Sequence, residues 1–394
     1  MTVTLVGCGC GSLTREAQES LESAELLIGA DRLLRQYGKG KKTAAAVTPE
    51  AVLSAIRAVG SGSVCILLSG DSGFYSGMRR LAPILEKEAE TELRVLPGIS
   101  SVQAFAARLR RPWQDWELCS AHGTDCDAVA AVCKGKPAFF LTGGRQGPAQ
   151  LCRELADAGL DTLPVSVGEN FGTGEERILT GTAGAFATRD FAPLSVLLAE
   201  AAPRPENRTP GLPDESFLRE DKIPMTKQEV RAAALAKLGV GPEDVCWDIG
   251  AGTGSVAVEL ALQGRAVYAV EKNSRALELA GENRRKHGAW NLRLIYGRAP
   301  EALAALPKPD AVFVGGSGGA LREILGALPA ANPQVRICVA AVTLETVHET
   351  LEILRNPGFE TEICQIAVSR GRMAGDRTLM TAQNPVWLIS GRGK

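Results

Sequence analysis

Short runs of β-branched and aliphatic residues recur along this chain, and a stretch of helical periodicity follows nearly every one. TVTLVG precedes LTREAQESLESAELL, SVCILLSG precedes a helix expected from about Phe74 to Lys87, and LRVLPG precedes SSVQAFAARL. Apolar strands alternating with amphipathic helices bury each strand under helices, which restricts the chain to an α/β architecture with largely parallel pairing. Further strand candidates, WELCSA, PAFFLTG, LPVSVGEN and PLSVLLAE, divide the first 200 residues into two lobes at about 1–112 and 113–200. AAPRPENRTPGLPDES (201–216) is rich in proline and polar residues and predicts an interdomain connection. The alternation then resumes in a second domain, 217–394, with KQEVRAAALAKL as a helix, then DVCWDIG, AVYAVE, LRLIYG and DAVFVGG as strands.

Composition excludes several function classes. A net charge of −1 over 394 residues leaves no basic footprint for nucleic acid. The apolar runs have strand length and fall short of the roughly 18 to 20 residues that span a bilayer. No signal-like segment precedes the first strand, so the reading is cytoplasmic. The 10 cysteines form no CxxC pair, and His122, His287 and His348 stand in neither HxH nor HExxH spacing, so no metal site is expected.

The motif richest in chemistry is VCWDIGAGTGSVAVELAL (245–262), where glycines lie between an apolar strand and an amphipathic helix. Such glycines allow a sharp turn into the helix and close approach of a ligand to the backbone. A dinucleotide fingerprint needs a third glycine where Ser255 stands, which weighs against a nicotinamide-dependent oxidoreductase, the competing reading. Glu271, closing the next strand about 20 residues on, is placed to accept from both hydroxyls of an adenosine ribose. Gly297 and Ala299 in GRAPEAL offer a small surface for an adenine ring. Loop, acidic strand end and adenine strand in register resemble the S-adenosylmethionine site of Rossmann-like methyltransferases. DAVFVGGSGG stands where enzymes that methylate base amino groups carry an Asn/Asp-Pro-Pro-aromatic turn, so the nucleophile here needs no such acceptor. At the N-terminus, VGCGCGSLT (6–14) packs three glycines and two cysteines into five positions; Ser12 and the lack of metal partners disfavour both a dinucleotide and a metal.

Taken together, MTKQEVRAAALAKL, WDIGAGTGSVAVEL, GRAPEAL, PDAVFVGGSGG, AAVTLET and NPVWLIS resemble the decarboxylating C15-methyltransferase module of corrin biosynthesis. The first half is similar to the tetrapyrrole methylases in their C5-methylating form. Its matching stretches are the glycine start, SGDSGFYSG (69–77), LPGISSVQAFAARL (96–109), PWQDWELCSAHG (112–123), VGEN with the following EER, and GLPDESF. Their order is that of the family of fused precorrin-6B (precorrin-6Y) C5,15-methyltransferases. The resemblance implies two methyl transfers to carbon of a reduced tetrapyrrole, with loss of CO2 from the ring C acetate, in cobalamin biosynthesis. Both methyl groups would come from S-adenosylmethionine, and multimers are common in both module families, which implies a homo-oligomer. A fusion in which only the C-terminal module is active is the remaining alternative.

Carried over by position, Thr226, Gly250, Ala251, Gly252, Thr253, Gly254, Glu271 and Ala299 would hold the C-terminal cofactor. Ser69, Gly70, Asp71, Phe74, Ser100 and Ser101 would line the N-terminal cleft. Cys10 and Ser12 stand where the family has Pro and Asp, in a shortened loop; Ser72 replaces Pro, Thr124 replaces a basic residue, and Arg298 replaces an acid or amide, with a side chain expected toward solvent. A sulfonium methyl meeting an enamine-like ring carbon needs alignment more than a nucleophilic side chain, and orientation alone supplies roughly 7–11 kcal/mol. Arg370, Arg372, Arg377, Arg108, Arg110 and Arg111 are candidates to pair with substrate carboxylates. Glu345 and Arg372 are taken as the catalytic candidates, and His122 as a loop residue making local hydrogen bonds.

Overall fold

A computed structural model of the chain describes residues 1–88, 91–203, 208–355 and 358–393. They fall into two units, one of Met1–Val132, Lys136–Ala156 and Asp161–Ala201, the other of Cys133–Gly135, Asp157–Leu160 and Ala202–Lys394.

The first unit holds two five-stranded sheets. One contains β1 (Thr2–Cys8), β2 (Leu26–Gly29), β3 (Lys42–Ala45), β4 (Ser63–Ser69) and β5 (Glu92–Leu96) in the order β3-β2-β4-β1-β5, all parallel. Alternate residues of its strands enter two different cores: Val3, Leu5, Ile28, Val64 and Ile66 pack on one face, Val6, Cys8, Leu27, Cys65 and Leu67 on the other. Burial on both faces is why the inner strands β1, β2 and β4 read as unbroken apolar runs. The second sheet contains β6 (Glu117–Ser120), β7 (Ala138–Leu141), β8 (Pro164–Glu169), β9 (Arg177–Thr182) and β10 (Ser195–Ala199) in the order β6-β7-β10-β8-β9. Here the expectation of largely parallel pairing fails. Only β6 and β7 run parallel, because β10 inserts between β7 and β8 in the opposite sense and β8–β9 is a hairpin.

Local chemistry moves several boundaries. Thr14 caps the helix Arg15–Ser23 through its hydroxyl, but the predicted helical tail ends there, and Leu26 and Leu27 pass into the buried strand LLIG. The helix expected from Phe74 begins at Met78. Residues 71–77 form a tight loop instead, with Tyr75 at φ 48° and Asp71 accepting from the Gly73 amide at 2.8 Å.

In the second unit, β11 (Val245–Ile249), β12 (Ala266–Glu271), β13 (Leu292–Tyr296), β14 (Ala311–Val314), β15 (Arg336–Ala341), β16 (Glu360–Ile366) and β19 (Val386–Arg392) form one sheet. The order is β13-β12-β11-β14-β15-β19-β16, parallel except at β19, which opposes both neighbours. A separate hairpin, β17 (Ser369–Ala374) with β18 (Arg377–Ala382), precedes the last strand.

Of the segment 201–216, read from the sequence as an interdomain connection, residues 204–207 lie outside the described residues, and the part from Arg208 onward is tied to the second unit. Leu212 and Phe217 join its core, and Glu259 accepts from the Gly211 and Leu212 amides at 2.7 and 3.0 Å. Arg231, fully buried, pairs with Glu259 at 2.6 Å and Asp214 at 3.2 Å, with its guanidinium over the Phe217 ring. A guanidinium flanked by two carboxylates satisfies charges that would otherwise be prohibitive to bury. Among the described residues, no helix is long and apolar enough to cross a membrane.

Candidate functional site

The second unit opens a cavity of about 350 Å³ at the carboxyl ends of β11, β12, β13 and β14, where open α/β sheets bind ligands. Gly250 and Gly252 line it, together with Glu271, Ala299 and the loop Gly315–Gly318. The glycines matter differently from the sequence reading. Gly250, Gly252 and Gly254 all have positive φ (73°, 54° and 75°), and a Cβ on each would strike the Gly316 carbonyl, the Pro224 carbonyl and Ala280 at 2.3, 2.6 and 2.7 Å. The missing side chains of Gly250 and Gly252 therefore make room for the protein's own backbone, and that of Gly254 for the Ala280 methyl, which together set the loop that the cavity exposes.

Glu271 ends β12 facing this loop. Its Oε2 accepts from the Gly252 amide at 3.0 Å and its Oε1 from the Asn273 amide at 2.9 Å, so the carboxylate is fixed before any ligand arrives. Each oxygen retains lone-pair capacity for a hydroxyl. Asp248, two residues before Gly250, lies in β11. It is fully buried, and neither carboxylate oxygen has a hydrogen-bond partner of good geometry. Burial pushes its pKa up to about 7; the Ala257 amide works against that shift and the Glu271 charge adds to it. A buried carboxylate with no cation of its own, next in sequence to Ile249 of the cavity wall, fits a positively charged ligand.

Of the remaining predicted residues, Thr226, Ala251, Thr253 and Gly254 do not line the cavity. Thr226 gives its carbonyl to Arg231 at 2.5 Å, Ala251 packs on the core, and Thr253 is fully buried. Asn283 holds this region by donating to the carbonyls of Thr253 and Leu218, each at 2.9 Å. The wall opposite the glycines comes from Lys222, Ile223 and Pro224, which sequence reasoning missed. Nothing in KIP signals this role, because it arises only when the Pro224 carbonyl seats over Gly252.

The first unit carries a larger cavity, about 460 Å³, lined from both of its sheets. Ser69, Gly70, Asp71, Phe74 and Ser101 line it as expected from the sequence, and so do Cys8, Cys10, Arg32 and His122. Asp71 accepts from the Gly73 and Gly98 amides, which ties two loops together. Ser69 accepts from Arg32 at 2.9 Å. Ser100 is instead a helix cap: buried, it closes a capping box with Gln103 at the start of the helix Ser101–Leu109 and is not in the cavity wall. His122 projects beside Gly143, where a Cβ would stand 2.1 Å from its Nδ1.

The opening glycines admit other backbone. A Cβ on Gly7 would meet the Gly98 amide at 2.6 Å, one on Gly9 the Ile99 carbonyl at 2.1 Å, and one on Gly11 the Gly172 carbonyl at 2.8 Å. Between them Cys10 sits at φ 29°, a conformation closed to proline. Burial raises the pKa of the Cys10 thiol and pushes that of Cys8 up to about 12, so both are neutral.

The arginines expected to grip the substrate are mostly committed. Arg108 pairs with Glu176 at 2.6 Å, Arg111 with Glu200, and Arg370 with Glu229 at 2.7 Å and Asp214 at 3.2 Å. Arg110 caps a helix in the left-handed conformation. Glu345 is exposed in the first turn of the helix Leu344–Arg355, and Arg372 and Arg377 lie exposed on the β17–β18 hairpin; none of them lines either cavity. Among the described residues, no group of three or more His, Cys, Asp or Glu could hold a metal ion.

Two family models match the chain: Tetrapyrrole (Corrin/Porphyrin) Methylases over residues 2–187 and Precorrin methyltransferase domain over 216–391. A Sinorhizobium protein named precorrin-6Y C(5,15)-methyltransferase [decarboxylating] is 31% identical over 404 residues, covering 98% of this chain and 94% of that protein. The protein of Pyrobaculum calidifontis named probable cobalt-precorrin-6B C(15)-methyltransferase (decarboxylating) is 46% identical over 186 residues, 46% of this chain and 95% of the relative. Among solved structures, precorrin-6y C5,15-methyltransferase from Geobacter metallireducens GS-15 is 36% identical, with a TM-score of 0.44, over 46% of this chain and 96% of that one.

Proposed function

This chain belongs to the decarboxylating precorrin C5,15-methyltransferases, and from that membership we propose that it divides its chemistry between the two cavities. It is a C-methyltransferase of cobalamin biosynthesis whose reaction includes decarboxylation. The first unit methylates C5 of a precorrin-6B type ring, and the second methylates C15 and releases the ring C acetate carboxyl as CO2. S-adenosylmethionine serves both, and when bound it supplies an electrophilic methyl group. The observation that carries this reading is the second cavity: a glycine loop, a carboxylate pre-fixed by two backbone amides, and a small-residue wall at Ala299, with the unpartnered Asp248 behind them.

The residues of the second cavity bind and orient. Glu271 offers its remaining lone pairs to paired hydroxyls without having to reorganise, because the Gly252 and Asn273 amides hold it in place. Ile249, Val270 and Ala299 give an apolar floor that excludes water. Asp248 lies on its titration midpoint near neutral pH, so a cation bound nearby draws it into the charged form. In the first unit, Asp71 and the three glycine contacts hold the loops that frame its cavity, a task of alignment. That formed cavity favours activity in both units over a fusion with only the C-terminal module active.

The test is the full-length chain incubated with precorrin-6B, or its cobalt form, and S-adenosylmethionine. Mass spectrometry should find two methyl gains and one CO2 loss. Glu271→Ala should stop the C15 transfer and decarboxylation and leave the C5 transfer; loss of the C5 transfer alone would reverse the assignment. A titration in which NADH binds and S-adenosylhomocysteine does not would restore the oxidoreductase reading.

A homo-oligomer is part of the same proposal. The β17–β18 hairpin leaves Met373, Leu379 and Met380 65, 57 and 68% exposed, and a two-stranded ribbon is marginal in water without a cover. Sedimentation of Met380→Glu beside the parent chain checks it, with a smaller species expected.

A further inference from the structure

Arg298 is exposed, as the sequence reading expected, but it is held at the rim of the second cavity, where it donates to the Gly318 carbonyl at 3.2 Å. Lys272 arrives at the same glycine from β12: a Cβ on Gly318 would stand 3.2 Å from its Nζ. Lys222 lines the cavity from a third side. Three cations thus border a cavity whose one lining carboxylate, Glu271, is occupied by two amides. Among the described residues, no carboxylate forms an ion pair with any of the three, whereas Arg108, Arg111 and Arg370 are all paired.

We propose that Lys222, Lys272 and Arg298 hold a carboxylate side chain of the tetrapyrrole over the mouth of this cavity and so determine substrate affinity at the C15 step. The proposal rests on the function assigned above. S-adenosylmethionine sets one carboxylate against a sulfonium and an ammonium, so its net charge is positive and three cations beside it exceed what it can neutralise, which raises the energy of the loaded site. An anionic second ligand removes that cost, and guanidinium and ammonium groups are suited to carboxylates. The loop beneath the cations, Gly315 to Gly319, bears no side chain larger than Ser317, which leaves a broad ring unobstructed. At the same end of the sheet, Val342 and Leu344 are 72 and 70% exposed and offer apolar surface to a macrocycle.

The experiment compares full-length Arg298→Ala, Lys272→Ala and Arg298→Lys with the parent chain. KM and kcat for CO2 release are measured with precorrin-6B, and the Kd of S-adenosylhomocysteine by calorimetry. Each alanine should raise KM about tenfold, the loss of one charge-assisted hydrogen bond, with kcat and the S-adenosylhomocysteine Kd almost unchanged. Arg298→Lys should recover most of the affinity, which a merely structural arginine would not show. An unchanged KM in both alanine variants overturns the proposal. So does a Kd for S-adenosylhomocysteine that weakens in step with KM, since the cations would then hold the cofactor's own carboxylate. If the parent chain takes up no S-adenosylhomocysteine, the underlying function fails first, before any variant is compared.

Discussion

The two glycine loops, GCGCG at the start of the chain and GAGTG after β11, look alike in sequence and are built on different physics. In the first, Gly11 has positive φ but Gly7 and Gly9 do not; those two are glycine solely because backbone from residues 98 and 99 occupies the Cβ position. In the second, all three glycines need both the space and the left-handed conformation. The charge around the loops differs as well. One lining arginine accompanies one lining carboxylate in the first cavity, while three cations face one carboxylate in the second. A glycine-rich turn therefore reports close packing more reliably than it reports a particular ligand.

That contrast can be broken by substitution. The largest effect is expected from Gly250→Ala, which combines a 2.3 Å clash against backbone with a disfavoured φ. It should abolish C15 methylation and CO2 release while C5 methylation continues, and mass spectrometry of the products separates the two. Gly9→Ala is the mirror test: its 2.1 Å clash with Ile99 should remove the C5 transfer and spare decarboxylation.

Next in size is Asp248→Asn. With a folded pKa of about 7 against an ordinary 3.8, this carboxyl binds its proton more tightly folded than unfolded. Its favourable contribution is complete below about pH 4 and is lost as pH rises to about 7, a span of about 4 kcal/mol. Asn should flatten that stretch of the pH–stability curve and raise denaturation midpoints at pH 8, while weakening S-adenosylhomocysteine binding. A midpoint that keeps the parent's pH slope would exonerate Asp248. The smallest effect is Cys10→Gly, which relieves a left-handed non-glycine and should stabilise by about 1 kcal/mol. Cys10→Pro, the residue usual in the family, should damage this loop, because φ 29° lies outside the range of its ring.

Much of the second unit was legible because its parallel strands are buried on both faces; AVYAVE coincides with β12 to the residue. Gly250, Gly252, Glu271 and Ala299, read from the glycine spacing and the strand ends, all line the second cavity. β9 was missed because RILTGT lies on an edge and alternates weakly, and LLIG was absorbed into a helix because its helix-like flank is continuous with it. The side chains that seemed free to meet a substrate, such as Arg108 and Arg370, found partners 68 and 141 residues away in the chain. Ion pairs over such separations leave no local pattern. Arg298, marked in the sequence only as a departure, owes its place to a carbonyl 20 residues on.

The buried Arg231 bears on where this polypeptide can be divided. Its two carboxylate partners lie on opposite sides of the apparent boundary at residue 217, Asp214 upstream and Glu259 downstream. Truncation at 217 would delete one counterion along with Leu212, whose carbonyl also accepts from the guanidinium, and leave a charge half-neutralised in the interior at a cost of about 3–5 kcal/mol. A shortened C-terminal protein should therefore start upstream of Gly211.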